Sequence, residues 1–300
     1  MKGKRIKGTA VKLTGSDRAF YLFIDACLIF VFIVIAIPMW STITLSFRPN
    51  AFTGSNFEGM FLPPWRWSTA AYKALLGNNG FLNAFFNSIK IFTMGIATSL
   101  FLTVPLAYVL SVKSLPGRKY LTMMVLIPYL FSVGLIPTYL VVVGLGLTNN
   151  LAAVFLPGAI STYNTLIMRG FFEGIPDELK ESARIDGAAE WFVLITIILP
   201  LSKPILMTIG LYYGVSFWND FFSAMLYLNK DALQPLPILL RNILMASGMN
   251  EFVDANAFGE APIQAIKAAS VFLAAIPMII AYPFIQKYFA RGTLVGGVKG

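Results

Sequence analysis

Histidine is absent from this 300-residue chain, and cysteine occurs once, as Cys27. Without an imidazole, no side chain titrates near neutral pH in its ordinary state. Histidine acid–base catalysis, Ser–His nucleophiles and the usual zinc ligand sets are therefore unavailable within one copy. A lone cysteine excludes an intramolecular disulfide, and its place in an apolar block makes Cys27 an inert lipid- or core-facing residue. Charge is scarce too: 12% of residues are ionised, against about a quarter in a soluble domain. No G-x-x-x-x-G-K-[ST] run occurs, so the chain carries no phosphate-cradling loop of its own. A soluble domain, a low-complexity tract and an internal repeat are missing as well.

What fills the chain instead is apolar. Hydrophobic residues make up 57% of it, and the mean hydropathy is +0.72. Six blocks, roughly 20–46, 86–112, 119–143, 150–171, 195–227 and 264–290, are long enough to cross about 30 Å of hydrocarbon at about 1.5 Å per residue. The expected fold class is an all-α polytopic membrane protein. Pro38, Pro105, Pro128, Pro137 and Pro277 fall inside blocks, where neighbouring helices can satisfy the freed carbonyls. They predict kinks, with re-entrant hairpins as the alternative.

The net charge of +9 does not point to nucleic acid, because the bases flank apolar spans instead of gathering on one soluble face. They report topology. With the N-terminus inside, 16 bases lie on the cytoplasmic side and 6 on the other, with Lys90 at a span entrance. Residues 1–19 then form a cytoplasmic tail, 20–290 the transmembrane domain and 291–300 a second cytoplasmic tail. No small-residue cleavage site follows the basic start, so a removable signal peptide is not expected. Two outer connections are long. Residues 47–85 carry Pro63, Pro64, Trp65 and Trp67. Residues 228–263 carry Leu236, Leu239, Leu240, Ile243 and Leu244 at helical spacing, followed by Asn250, Glu251, Asp254 and Asn256. They predict an amphipathic helix, lying flat on the membrane or meeting a partner protein.

Residues 173–204 break the apolar pattern with six carboxylates and three bases. Each charge at a bilayer centre costs about 2.5–3.5 kcal/mol, so 173–195 lies outside the hydrocarbon. Pro176 suits a first helical turn, with Asp177 and Glu178 at the positive end of the dipole. Leu179, Ala183 and Asp186 fall on adjacent turns. Gly187 ends the run in a tight turn before a second helix that carries Trp191 and Phe192 into the interface, and Pro200 and Pro204 shape the entry to the fifth span. An ordinary solvated loop would account for the charges. It would not account for a connection of about 25 residues, where about 2–8 suffice. Nor does it need small residues such as Ser182, Ala183, Ala188 and Ala189, which permit close docking.

Glu181-Ser182-Ala183, Gly187 and Ile197-Ile198-Leu199-Pro200 resemble the E-A-A-x-x-x-G-x9-I-x-L-P signature of ABC importer permeases, with Ser182 a small-for-small departure. Asn83-Ala84-Phe85-Phe86-Asn87-Ser88, Phe217-Trp218-Asn219-Asp220-Phe221-Phe222 and the ending Gly292-Thr293-Leu294-Val295-Gly296-Gly297-Val298-Lys299-Gly300 extend the likeness over nearly the whole chain. The chain resembles the permeases of maltose-type carbohydrate importers, and within them the subgroup that imports oligosaccharides from complex polysaccharides, alginate included.

That resemblance implies a type I ABC importer permease fold with six transmembrane helices in a bacterial inner membrane. It implies a second permease, two ATPase subunits that hold the ATP and Mg, and an extracytoplasmic solute-binding protein. This chain itself would be non-catalytic, without cofactor or metal. Residues 176–187 would be the coupling helix seated in an ATPase cleft, with Glu181, Ser182, Ala183, Asp186, Gly187 and Pro200 as coupling residues. Glu181 would cap or pair with ATPase groups, and Gly187 would permit the turn, where a larger residue would clash or straighten the chain. The tail after Arg291 would insert between the ATPases.

Sugars bind to aromatic faces and planar polar groups, which singles out Tyr212, Phe217, Trp218, Asn219 and Asp220 on the fifth span as candidates for the substrate path. An ionisable group in a span is a functional candidate by default, although Asp220 would serve equally by pairing with a base to hold helices. In the resembled group the partner permease dominates substrate contact, which would leave this subunit as a wall. Lys90, Lys267, Arg241 and Arg48 would suit an acidic sugar; interfacial snorkelling explains them too. An intramembrane enzyme is disfavoured, because Asp25 and Asp220 are the only carboxylates in spans. An ion-coupled secondary transporter would show more spans, repeats and buried carboxylates. Neither rival accounts for 173–200.

Overall fold

The computed structural model describes residues 15–50, 52, 55–131, 133–245 and 261–296, with side chains from 19 to 283 apart from residue 56. The basic N-terminal tail up to residue 14, the acidic stretch at Asn250–Asn256 and residues 297–300 lie outside the described residues. Every regular element among those described is helical. Three helices are long and apolar enough to cross a membrane unbroken: α1 (Gly15–Ser46), α3 (Asn79–Ser111) and α13 (Ile263–Gly296). In hydrocarbon the backbone must satisfy itself, and a helix does so turn by turn. Pro38, Pro105, Pro277 and Pro283 sit inside these helices without ending them.

The sharp breaks come elsewhere. Helices α4 (Arg118–Leu130) and α5 (Leu135–Gly144) are inclined at 112°, and α9 (Glu190–Leu201) meets α10 (Lys203–Trp218) at 86°. Counting each bent pair as one span raises the number from three to five. The block expected at 150–171 resolves into a one-turn helix, α6 (Ala152–Phe155), and the 12-residue α7 (Thr162–Glu173). At about 1.5 Å per residue α7 reaches about 18 Å, short of a full crossing. The fifth block is divided by a sharp bend. Residues 195–201 belong to α9, which leads through Ser202 into α10 at a near right angle. Proline explains the elbow. Pro204 has no N–H for the carbonyl of Pro200, and Pro200 has none for Thr196. The ladder loosens just before, where Leu199 donates five residues back to Leu194 through a π turn.

Helix α3 is the centre of the bundle and packs on α7 and α10. Its crossing with α10 is reciprocal. A Cβ at Gly95 of α3 would stand 2.5 Å from the Phe217 ring of α10, and one at Gly214 of α10 would stand 2.6 Å from the Phe92 ring of α3. Small residues at helix contacts let membrane helices approach closely. Helix α13 packs on α1 and α10, with α2 (Ala70–Gly77) and α12 (Leu236–Met245) filling the space beside it.

The Asn-Ser pair that opens the second block has a structural task. Asn87 donates to the carbonyls of Ala232 (2.9 Å) and Gln234 (3.3 Å), while Ser88 Oγ accepts the Leu236 N–H at 2.8 Å. These bonds fix the start of α12 against α3. Leu236, Ile238 and Ile243 are buried there, whereas Leu244 faces out. The amphipathic helix expected over this stretch therefore spends its apolar face on its own bundle. Residues 60–69 fold back similarly: Trp67 stacks on Phe47 at 4.8 Å and donates to the Leu62 carbonyl. Cys27 is a free, exposed thiol on α1.

Candidate functional site

Helix α8 (Asp177–Ile185) begins after Pro176, with Asp177 and Glu178 in its first turn and Arg184 in its last. Lys180 points inward and is only 6% exposed. Its ammonium donates to Asp177 Oδ1 (3.0 Å) and to the carbonyl of Phe172 (3.3 Å) at the end of α7. A buried ammonium needs such partners, and this one satisfies a carbonyl that the helix end leaves open. The hydrogen bond from Lys180 holds the Asp177 carboxyl below its ordinary range.

At the other end Gly187 adopts φ +82°. Its N–H donates to Arg184 O (3.0 Å) and the Ala188 N–H to Ala183 O (2.9 Å), the paired bonds of a Schellman cap. A Cβ at Gly187 would meet nothing within 4 Å. The glycine is required by the left-handed backbone, and the clash expected of a larger side chain does not arise within this chain.

Beyond the turn, Arg184 grips Glu190 with two nitrogens, at 2.7 and 3.2 Å, and the Tyr108 hydroxyl donates to Glu190 Oε2 at 2.7 Å. The Arg184 bond, helped by Tyr108 and opposed by partial desolvation, holds Glu190 below the usual carboxylate range. This clamp joins α8, the start of α9 and the end of α3. A second one lies beside it. Glu173 closes α7 with ion pairs to Arg118 and to Arg169 (2.9 Å), and Arg118 also donates to Leu110 O at 2.7 Å.

With these ends fixed, the remaining face of α8 is open. Glu181, Ser182 and Asp186 are exposed, and Glu181 makes no side-chain hydrogen bond among the described residues. Ile185 is 85% exposed and Trp191 66%. A cavity of about 420 Å³ lies between Ala183, Asp186, Gly187, Ala188, Ala189, Trp191 and Phe192. The structure thus brings Glu181, Ser182, Ala183, Asp186 and Gly187 together and leaves Pro200 apart, at the elbow. The sequence reading missed Tyr108, Glu173, Lys180 and Glu190 as the groups that set this surface. The charge of the segment was visible; its pairing across a turn was not.

The substrate-path candidates divide. Trp218 is buried between helices, edge-on to Phe85 and Phe92, with its indole N–H on Ala274 O (3.2 Å). Its surface is spent on packing α10 to α3 and α13, so in this chain it offers no open sugar-stacking face. Phe217 is buried too, stacked on Tyr213 at 6.0 Å, and borders a cavity with its remaining edge. Tyr212 and Asn219 are exposed, and Asn219 donates to Val215 O. Asp220 lines that same cavity, of about 240 Å³, between α5, α10 and α11 (Phe222–Tyr227). None of Lys90, Lys267, Arg241 and Arg48 borders it. Arg48 and Arg241 lie over the rings of Phe52 and Phe221, and Lys267 donates to Leu244 O.

Comparison with known proteins agrees with this geometry. The family model for the binding-protein-dependent transport system inner membrane component matches residues 15–295. The chain is 38% identical over 286 residues to the polygalacturonan/rhamnogalacturonan transport system permease protein YtcP of Bacillus subtilis, covering 95% of this chain and 99% of that one. It is 30% identical over 267 residues to the arabinooligosaccharides transport system permease protein AraQ of Halalkalibacterium halodurans, covering 87% and 85%. A crystal structure of a bacterial ABC transporter involved in import of the acidic polysaccharide alginate superposes with a TM-score of 0.83 at 31% identity, over 93% of this chain and 100% of that one. The chain therefore belongs to the binding-protein-dependent permeases of carbohydrate ABC importers, multi-pass inner-membrane subunits without catalytic chemistry or a cofactor of their own.

Proposed function

We propose that this chain joins a second permease to form the passage for an oligosaccharide derived from a polysaccharide, alginate fragments included, and that α8 is its coupling helix. The observation that carries this reading is the clamped α8, held at both ends by polar ties and presenting Glu181, Ser182, Asp186 and Ile185 outward. A solvated loop needs neither the clamps nor the exposed isoleucine. One of two ATPase subunits would receive this face in the cytoplasm, where the excess of basic residues also puts both termini. A solute-binding protein would deliver sugar from the opposite side. The carbohydrate class is supported by the names of similar proteins, two of which handle acidic polysaccharides.

The test is reconstitution of the assembled complex in proteoliposomes, with ATP hydrolysis followed against neutral and uronate oligosaccharides and the matching binding protein. Stimulation by one class is expected. Purification without an ATPase, together with uptake driven by an ion gradient, would favour a secondary transporter instead. A cysteine at Trp65 in a Cys27→Ser background should react with an impermeant thiol reagent from outside, and one at Ser182 should not; the reverse pattern would overturn the orientation.

A further inference from the structure

Asp220 is the one ionised group on the wall of the 240 Å³ cavity, and half of its carboxylate is already committed. Oδ1 accepts the Ser223 N–H at 2.9 Å, which caps the first turn of α11. The other oxygen makes no hydrogen bond among the described residues, and none of the four ion pairs among them involves Asp220. Hydroxyls stand around it. Ser216 and Tyr227 make no side-chain hydrogen bond, and Thr138 uses its proton on Gly134 O, leaving oxygen lone pairs to accept. Leu135, Pro157 and the edge of Phe217 supply apolar wall. Pockets that enclose a drug-sized ligand run to about 300–1,000 Å³, so this one suits a single sugar unit.

Resting on the permease reading, we infer that this cavity is a subsite for one neutral sugar unit, whose hydroxyls donate to the free oxygen of Asp220. A uronate at the same place would set two carboxylates side by side, a like-charge repulsion that a proton or a cation must relieve. An all-uronate chain passes here only if the partner permease brings a base. A neutral or mixed chain needs no such help.

Asp220→Asn separates the charge from the cap, because the amide oxygen still accepts the Ser223 N–H. A reporter cysteine at Ser216, in a Cys27→Ser background, reads occupancy. Neutral and uronate oligosaccharides of equal length are applied directly to the assembled complex, so that the binding protein's preference does not enter. Neutral sugar should slow labelling at 216 at least tenfold more than uronate, and Asp220→Asn should bring the two within threefold. Thr138→Lys, a cation added on the opposite wall, should shift the preference toward uronate. Equal protection by both classes, or a ratio unmoved by both variants, would overturn the subsite. If no sugar stimulates ATP hydrolysis in the assembled complex once the matching binding protein is added, the permease reading fails. If one does while labelling at 216 ignores sugar, that reading stands and only the subsite falls.

Discussion

The α8 segment, proposed to couple to the ATPase, and the Asp220 cavity occupy opposite ends of α10 and use polar groups in opposite ways. At the α8 end the side chains of Lys180, Arg184 and Glu190 are each spent on a partner in the chain. At the cavity, Ser216, Tyr227 and half of Asp220 are left unspent. Groups that satisfy each other fix a shape, and a fixed shape can be pushed. Groups left open beside a cavity can exchange partners with a passing ligand. The 16 residues of α10, about 24 Å of helix, join the two regions, and the Gly95–Phe217 and Gly214–Phe92 contacts bind α10 to α3 on the way.

Removing the connection should do the most damage. Gly214→Leu forces a branched side chain into the Phe92 ring, an overpacking that costs about 1–3 kcal/mol or more. The complex should lose thermal stability and most of its assembly, measured by recovery of permease with bound ATPase, and both regions should fail together. Next comes the turn. At Gly187, Ala should cost roughly 1–2 kcal/mol of the docked conformation for its left-handed backbone. Asn tolerates that conformation and should keep most of the sugar-stimulated ATPase activity. If Ala and Asn behave alike, space and not backbone sets the requirement. A smaller effect is expected of Tyr108→Phe, which removes one of three hydrogen bonds on Glu190; stimulation should fall a few-fold with basal hydrolysis intact.

Proton titration makes the mildest challenge. The folded pKa of Glu190 lies below its ordinary value of 4.5, so the clamp is complete above that value and is lost as pH falls through the folded one. Stimulation per basal turnover should stay flat from neutral pH down to about 4.5. A decline centred near pH 6 would assign the coupling to another group.

The two regions were unequally legible in the sequence. Helix α8, its start after Pro176 and its end at Gly187 follow from local rules, because caps and turns are written in neighbouring residues. The clamp to Tyr108 is not local; it joins residues 82 positions apart, and nothing in the charge pattern selects Glu190 over Glu181. The bend before α10 was hidden for a related reason. Hydropathy sees apolar residues at 195–201 and does not tell a straight helix from a bent one, although Pro200 and Pro204 mark the elbow. Trp218 drew attention as an aromatic face for a sugar, but Phe85 and Phe92 of α3 and the alanines of α13 enclose it. Asp220 stood out as a rare carboxylate in an apolar span; its hydroxyl neighbours come from α5, α10 and α11 and had no common motif.

The central claim is that Arg184 and Glu190 fix the proposed coupling helix to α9 and, through Tyr108, to α3, the helix that packs on the cavity-lining α10. Its most direct test is a charge-swap cycle, Arg184→Glu, Glu190→Arg and the two together, read as sugar-stimulated ATPase activity of the assembled complex. Each single variant should lose at least tenfold of the stimulation while basal hydrolysis persists, and the swap should recover most of it. Wild-type stimulation in both single variants, or losses that simply add in the double, would contradict the account.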